Sequence, residues 1–341
     1  MSVRQTSPGP TPTPPWTCPF CPLLCDRFSV DAVAGGGWVL AGSDCPRATA
    51  ALARFGAAAG AAAAPRIDGT ACDLDAAIGA AAQRLGASRQ PLFGGLGTDV
   101  AGARALYALA CRTGAICDPA GGASLLKSLS ALQDRGGFTA TFAEVRARAD
   151  LIVCIDALPD DHHPEWRHRV MRDSDPAKIV VLRGRGSAAP RGTDDVAVDA
   201  DLFDATAMLA ALVAQRSVAT APSALRDLAA RLRQARYAVI VYETRRLPAH
   251  GALIVEAIGR SVATLNRATR AATLPLGGDD GASTVNAVFA WLSGLPLRSR
   301  AAPGGLEHEP LRFDATRLLA DRAVDALLWI ASFGTEPALP S

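Results

Sequence analysis

Lysine is almost missing from this sequence: of 35 basic residues only Lys127 and Lys178 are lysine, the rest being arginine. With 33 acidic residues the formal net charge is +2, so no strong field of one sign argues for nucleic acid as a partner. The arginine bias, beside abundant alanine and glycine, reads as the imprint of a GC-rich genome rather than a phosphate-binding surface. A long apolar run is missing too. The least polar stretch, AAAGAAAAP at 57–65, is short and mostly alanine, whereas a membrane-spanning helix needs about 20 apolar residues. The opening MSVRQTSPGPTPTPP has neither an apolar h-region nor a small-residue cleavage site, which is not the pattern of a secretory signal. The expected location is therefore cytoplasmic, where the eight cysteines are thiols or metal ligands rather than disulfides. No P-loop, nucleophile elbow or helix-borne HExxH is present. GlyLeuGlyThr at 95–98, a glycine turn after a strand, lacks the full dinucleotide fingerprint.

What is present suits a globular α/β protein. At 341 residues, 49% hydrophobic and 20% charged, the chain has material for two or three modules. Proline density makes residues 1–15 an extended tail. Residues 16–58 form a small cysteine-bearing loop-and-hairpin module, with WVLA at 38–41 as its apolar strand. An alanine-rich helix and linker over 48–64 leads into alternating strand-like and helix-like patterns, the signature of a helix-covered parallel sheet. Strands are expected within 91–99, a short one ending in a Gly-rich turn, at 115–117, 151–156, 178–182 and 195–199, then at 237–244, 271–276 and 326–332. Helices are expected at about 74–86, capped by Asp73, at 101–112, closed by Gly114, and at 202–214, 223–234, 250–260 and 282–292. A division near 235 gives a first α/β module over 59–234 and a second over 235–341. The chain stops soon after the strand at 326–332, so something else is expected to cover that sheet edge.

The most specific pattern is CPFCPLLCD at 18–26. Cys18, Cys21 and Cys25, at two-then-three spacing, can converge on a metal cluster, with Cys45 closing the cage from across a hairpin. An iron–sulfur cluster, a four-cysteine zinc site and an empty, vestigial set are the three readings; zinc ribbons favour two tight pairs, and this is three plus one. Cys72, Cys111, Cys117 and Cys154 fall in helix or strand patterns, Cys154 as a small core residue. The stretch PDDHHPEWRHR at 159–169 holds His162, His163 and His168 beside Asp160, Asp161 and Glu165. The run could be a metal site, but it is more often a solvated loop and helix start after a strand, and it is read as that.

Several segments together resemble the B subunit of formylmethanofuran dehydrogenase, a relative of the molybdopterin formate dehydrogenases. The CxxCxxxCD with a later CysPro is similar to that family's N-terminal 4Fe–4S site. GLGTDVAGARALYALACRTGAICD at 95–118 resembles its strand, turn and helix near the pterin. ALQDRGGFTATFAEVRARADLIV at 131–153 is the most specific match, and VDALLWIASFGTEPALP at 324–340 resembles the family's closing segment. The resemblance covers nearly everything after residue 15. It implies Rossmann-like parallel-sheet modules of the formate dehydrogenase/DMSO reductase type, truncated at the C-terminus.

The departures carry the functional expectation. Family oxidoreductases place Cys (or selenocysteine)–His–Gly–Pro just ahead of the ALQD-like segment, and that register falls here on Ser124, Leu125, Leu126 and Lys127. A serine hydroxyl is a poor substitute for a soft thiolate ligand, and leucine transfers no proton. Arg300 is a candidate remnant of the family's active-site arginine. The same losses mark the B subunit of the bacterial formyltransferase/hydrolase complex of methylotrophs. That resemblance implies a complex that moves a formyl group from tetrahydromethanopterin to a methanofuran-like carrier and hydrolyses it to formate. Its chemistry sits in a zinc amidohydrolase-like A subunit and a formyltransferase D subunit, held together by the B and C subunits.

The expectation is thus a non-catalytic structural subunit with the A, C and D subunits as partners, no catalytic residue and no tungsten or molybdenum pterin. Any 4Fe–4S cluster on Cys18, Cys21, Cys25 and Cys45 would be structural. The alternatives are an active formylmethanofuran dehydrogenase subunit with an unusual metal ligand, and a lone electron carrier.

Overall fold

The residues LIVCI at 151–155 are all buried, and their alternation decides the architecture around them. Leu151, Val153 and Ile155 face one hydrophobic core, while Ile152 and Cys154 face another. A strand buried on both faces belongs inside a covered parallel sheet. The computed structural model describes residues 16–33, 36–55, 64–173, 177–278 and 281–333. The expected proline-rich tail at 1–15, the linker at 56–63 and the stretch from 334 onward lie outside those residues.

In chain order, hairpin β1 (Ser29–Ala32) and β2 (Trp38–Ala41) precedes helix α1 (Pro46–Ala53). A second small hairpin, β3 (Arg66–Ile67) and β4 (Thr70–Ala71), precedes α2 (Leu74–Ala87). Then come β5 (Pro91–Gly97), α3 (Val100–Thr113), β6 (Ile116–Pro119), α4 (Gly122–Arg135), α5 (Phe142–Arg148), β7 (Leu151–Ile155), α6 (Trp166–Val170), β8 (Lys178–Arg183) and β9 (Asp194–Ala197). The chain continues through α7 (Leu202–Val213), α8 (Ser223–Gln234), β10 (Tyr237–Glu243), α9 (Gly251–Leu265), β11 (Arg270–Leu276) and α10 (Ala282–Ser293). It closes with β12 (Ser299–Ala302), β13 (Gly305–His308), α11 (Ala315–Ala320) and β14 (Ala326–Ala331).

Two five-stranded sheets result. The first has the order β11-β10-β7-β8-β9, all parallel. One face packs on α7, α8 and α9 through Leu209, Leu225, Leu228 and Ile258. The other face receives α5, α6 and the cysteine module: Leu23, Phe28 and Leu52 share a core with Val145, Trp166, Val181 and Val239. The cysteine module therefore has no core of its own. The second sheet has the order β13-β12-β6-β5-β14, with β14, β5 and β6 parallel and the β12–β13 hairpin antiparallel. Phe93, Leu96 and Cys117 pack on α3 and α10, and Leu92 and Ile116 pack on Phe313 and α11.

This topology corrects the expected boundary at 234/235. That point falls between α8 and β10, yet β10 pairs with β7 and β11, so the first sheet runs straight across it. The second sheet is built from residues 91–119 and 299–331, so the chain leaves it after β6 and returns at β12. The glycines at 94–97 also differ from expectation. They lie inside β5 rather than in a turn after it, because a Cβ on Gly94 would come within 2.7 Å of the Trp329 ring and one on Gly95 within 2.6 Å of the Ile330 carbonyl oxygen. Gly95 has φ +72°, which a residue with a Cβ adopts only under strain. They are glycines so that β14 can lie close against β5, not so that a phosphate can approach.

Candidate functional site

The cysteine loop begins from a bridge between Trp16 and Phe28. Inside it, Cys18 N donates to the Cys25 carbonyl at 2.8 Å and Leu24 N to the Cys21 carbonyl at 3.2 Å, with Leu24 itself in the left-handed region. Cys45 stands at the N-terminus of α1, where Pro46 fixes the first turn. Ser43 Oγ accepts from Cys45 N at 3.0 Å. All four thiols are buried, and none of the eight cysteines is in a disulfide. Burial pushes the Cys18 thiol up to about 11, aided by neighbouring Cys21 and Cys45, and the Cys25 thiol up to about 12, aided by Cys21 and Cys18. The loop buries the four cysteines in one core with Leu23 and Phe28. Among the described residues, however, no group of three or more His, Cys, Asp or Glu side chains is arranged to hold a metal ion. Four cysteine thiols are the donor set that a 4Fe–4S cluster takes.

Direct side-chain contacts hold the loop in place. Glu165 accepts from Ser43 Oγ at 2.8 Å and from Arg27 Nη2 at 3.2 Å. Arg169 Nη1 donates to Asp26 at 2.8 Å and its guanidinium lies over Phe142. Arg47 Nε donates to the Phe20 carbonyl at 2.6 Å. Glu165 and Arg169 come from PDDHHPEWRHR, so the expectation of a solvated loop there is corrected. His163, Glu165 and Trp166 are buried, and the segment is the seat of the cysteine module.

Ser124, Leu125, Leu126 and Lys127, the positions that the resemblance sets at the family's metal-ligand motif, lie in the first turns of α4, after a left-handed Gly121. Ser124 N donates to the Gly121 carbonyl at 2.9 Å. Leu125 is half-buried, and Leu126 faces the interior. Lys127 Nζ donates to the Leu247 and Thr244 carbonyls at 2.6 and 3.3 Å, and burial lowers its proton affinity. Ser124, Leu125 and Leu126 offer no soft ligand and no titrating group, and the lysine is engaged with backbone. Arg300 does not join them. It donates to Glu307 at 2.7 Å and Gln90 at 2.5 Å and lies over Phe313, on the β12–β13 hairpin. The arginine beside the start of α4 is Arg298, buried against Asp118, whose carboxylate accepts from Arg298 Nε at 3.0 Å and from Ala315 N at 2.8 Å. Burial raises the Asp118 proton affinity and Arg298 opposes it.

A third cluster sits where the connections from β7 and β10 leave the first sheet in opposite directions, the place where open α/β sheets receive ligands. Glu243, the last residue of β10, is buried with Oε2 2.7 Å from His162 Nδ1 and 3.6 Å from His163 Nε2. Burial raises the Glu243 proton affinity, and His162 pulls it back. Asp156, just after β7, accepts from Ser187 and, at 3.3 Å, from Arg246. Glu243 and Asp156, each paired within the chain, stand at that crevice. Glu243, Asp156 and Arg298 escaped the sequence reading because an acid or arginine at a strand end looks like any turn residue until the strands are paired.

Comparison with known proteins follows the same line. No protein-family model matches the chain. It is 33% identical over 278 residues to the B subunit of the formyltransferase/hydrolase complex Fhc of Methylorubrum extorquens, covering 78% of this chain and 74% of that relative. Its fold matches a chain in the X-ray crystal structure of the formyltransferase/hydrolase complex FhcABCD from Methylorubrum extorquens with methylofuran. The TM-score is 0.68 at 32% identity, over 78% of this chain and 76% of that one.

Proposed function

The chain belongs to the B-subunit family of formyltransferase/hydrolase complexes, and on that premise we propose that it is a non-catalytic structural subunit, assembling with the A, C and D subunits. The complex would carry tetrahydromethanopterin-linked oxidation of formaldehyde-level carbon to formate, with formyl transfer and hydrolysis performed by the partner subunits. The observation that carries this reading is the content of the first turns of α4: serine and leucine stand where an oxidoreductase needs a soft ligand and a proton-transfer group. The buried thiols of the cysteine loop serve the core that joins the loop to the first sheet, and no metal-dependent step is assigned to them.

Two surfaces favour a role in assembly. Strand β14 is an edge of the second sheet with the wholly apolar sequence ALLWIA, a flank that proteins cover or pair. Next to it, α2 buries none of its residues although Leu74, Ile78 and Leu85 recur at helical spacing, and Leu74 and Ile78 are exposed. No described helix is long and apolar enough to cross a membrane, and eight cysteines outside any disulfide suit a cytoplasmic complex.

Co-expression with and without the A, C and D subunits tests the reading. We expect one stable assembly whose transferase and hydrolase rates are unchanged by Ser124→Ala and Leu125→Ala, and whose anaerobic preparation contains no tungsten, molybdenum or pterin. A chain that stays monodisperse and ignores the other three subunits would overturn it, as would a pterin-bound metal in the assembly. Iron with a broad visible absorption would restore the cluster at Cys18, Cys21, Cys25 and Cys45.

A further inference from the structure

Between α4 and α9, over the end of β10 and the edge strand β11, lies a cavity of about 550 Å³. That is within the ~300–1,000 Å³ range of small-molecule sites. The cysteine module does not reach it, and of the positions at 124–127 only Leu125 lines it. Its wall is mainly apolar, from Leu125, Leu129, Val255 and Pro275, with Leu132 and Phe138 about half exposed at its rim. Hydroxyls are also present, on Ser128, Thr139, Tyr242, Thr244, Thr273 and Ser283. Ser128 Oγ donates to the Tyr242 hydroxyl at 3.3 Å. Among the described residues, the charged part of the lining is Arg135, Glu256 and Arg260. Both arginines approach the same carboxylate oxygen, at 3.4 and 2.8 Å, so the trio carries one positive charge in excess.

A second observation bears on the same space. Gly259 stands in the middle of α9, and a Cβ there would meet nothing within 4 Å. A glycine at a helix interior costs about 1 kcal/mol against alanine, and neither positive φ nor close packing accounts for this one. What its missing side chain provides is room in the cavity that it lines.

We propose that this cavity is a binding site for an amphipathic carboxylate, its aromatic or alkyl body against Leu125, Leu129 and Val255 and its anionic head at Arg135 and Arg260. Apolar area drives such a ligand in, and the excess charge selects the anion over a neutral molecule of the same shape. The site stands apart from the scaffold reading, since a structural subunit needs no ligand.

Calorimetric titration of the purified complex with 2-naphthoate and with its neutral isostere, 2-naphthamide, tests it. We expect saturable binding of one naphthoate per chain and binding of the amide weaker by at least about tenfold. Gly259→Leu, at a position where a Cβ meets nothing within 4 Å, puts a side chain into the cavity and should remove binding of both probes while the melting temperature holds or rises. Should that variant fail to assemble, Ala263→Leu, which lies one turn further along α9 and also lines the cavity, replaces it. Arg260→Ala should lower naphthoate to the level of the amide and leave the amide unchanged. Absence of saturable binding, equal affinity for the two probes, or naphthoate binding that survives the filling variant would each overturn the proposal.

Discussion

Arg298 Nε donates to Asp118 Oδ1 at 3.0 Å, and both side chains are buried. This contact joins the two passages of chain that build the second sheet. Asp118 stands on β6, before the chain departs for the first sheet, and Arg298 leads into β12, where it comes back. The arginine also donates to the Pro310 carbonyl at 2.6 Å and pairs with Asp314, so its guanidinium organises the loop that carries α11. Arg298→Met would leave the Asp118 carboxylate buried with the Ala315 amide as its remaining partner. Breaking a buried pair from one side costs about 3–5 kcal/mol. The expected result is a matching fall in stability from urea unfolding midpoints. The double variant Arg298→Met, Asp118→Leu should recover part of it, because no orphaned charge then remains. A loss below about 1 kcal/mol in the single variant, the size of an ordinary neutral hydrogen bond, would remove the pair from this role.

Asp325 gives the pH dependence. Its carboxylate accepts from the Ser88 hydroxyl and from the backbone amides of Arg89 and Gln90 at 2.8 and 3.0 Å, tying the start of β14 to the turn after α2. The Ser88 hydroxyl first, then the two amides, pull its pKa from 3.8 down to about 2. A folded-state value below the unfolded one means that the stabilisation is present above about pH 4 and disappears as pH falls toward about 2. Melting curves of the native chain and of Asp325→Ala should therefore differ at neutral pH and converge between pH 4 and 2. Equal melting at neutral pH would show that the turn holds without the carboxylate.

The thiols should fall into two classes toward a thiol reagent. Cys111 is exposed and Cys72 partly so, while Cys18, Cys21, Cys25, Cys45, Cys117 and Cys154 are buried. The first class should react at once and the second only through opening of the structure. Glu165→Ala removes the acceptor of both Ser43 and Arg27, and hydrogen bonds to a charged group contribute about 1.5–3 kcal/mol each. Labelling of the cysteine loop, read residue by residue by mass spectrometry, should accelerate at least about tenfold, with Cys117 unchanged. Uniform acceleration at Cys117 as well would mean global loosening rather than release of the loop.

Two glycines separate backbone strain from close approach. Gly95 and Gly69 both have positive φ, but a Cβ at Gly95 meets Ile330 O at 2.6 Å, whereas one at Gly69 meets nothing within 4 Å. Gly69→Ala should cost only the left-handed conformation, about 1–2 kcal/mol. Gly95→Ala should cost clearly more, because β14 has to move away from β5. Comparable melting temperatures for the two variants would rule out close packing of β14 as the reason for the glycines in β5.

Much of the element order was legible in the residues. LIVCI, KIVVL and YAVIVYE are dense apolar blocks between turn signals, and Asp73 does cap α2 by accepting from Ala76 N at 2.7 Å. The helix α4 and the hairpin β12–β13 were not read. GASLLKSLSALQDR carries serines and a lysine on the turns where a helix signal would be sought, and SRAAPGGLEH is too short and too polar for a clear period. Cys18, Cys21, Cys25 and Cys45 stand out by spacing alone, and the structure buries all four in one core. The seat made by Glu165 and Arg169 was not legible, because a charged run shows its partners only when the loop lands on it. Arg300 was chosen by resemblance, and two residues away Arg298 holds the buried position.

By itself, the sequence determined much of the element order and the resemblance to the B-subunit family. These rest on short-range facts: hydrophobic period, capping groups and residue identity at a fixed spacing. The tertiary structure alone decided that the two sheets are interleaved rather than consecutive, that Cys18, Cys21, Cys25 and Cys45 close into an apolar core, and that β14 lies against β5. Those outcomes depend on which apolar faces find each other across the chain. Burial is non-directional and carries no mark in the sequence of the partner it selects.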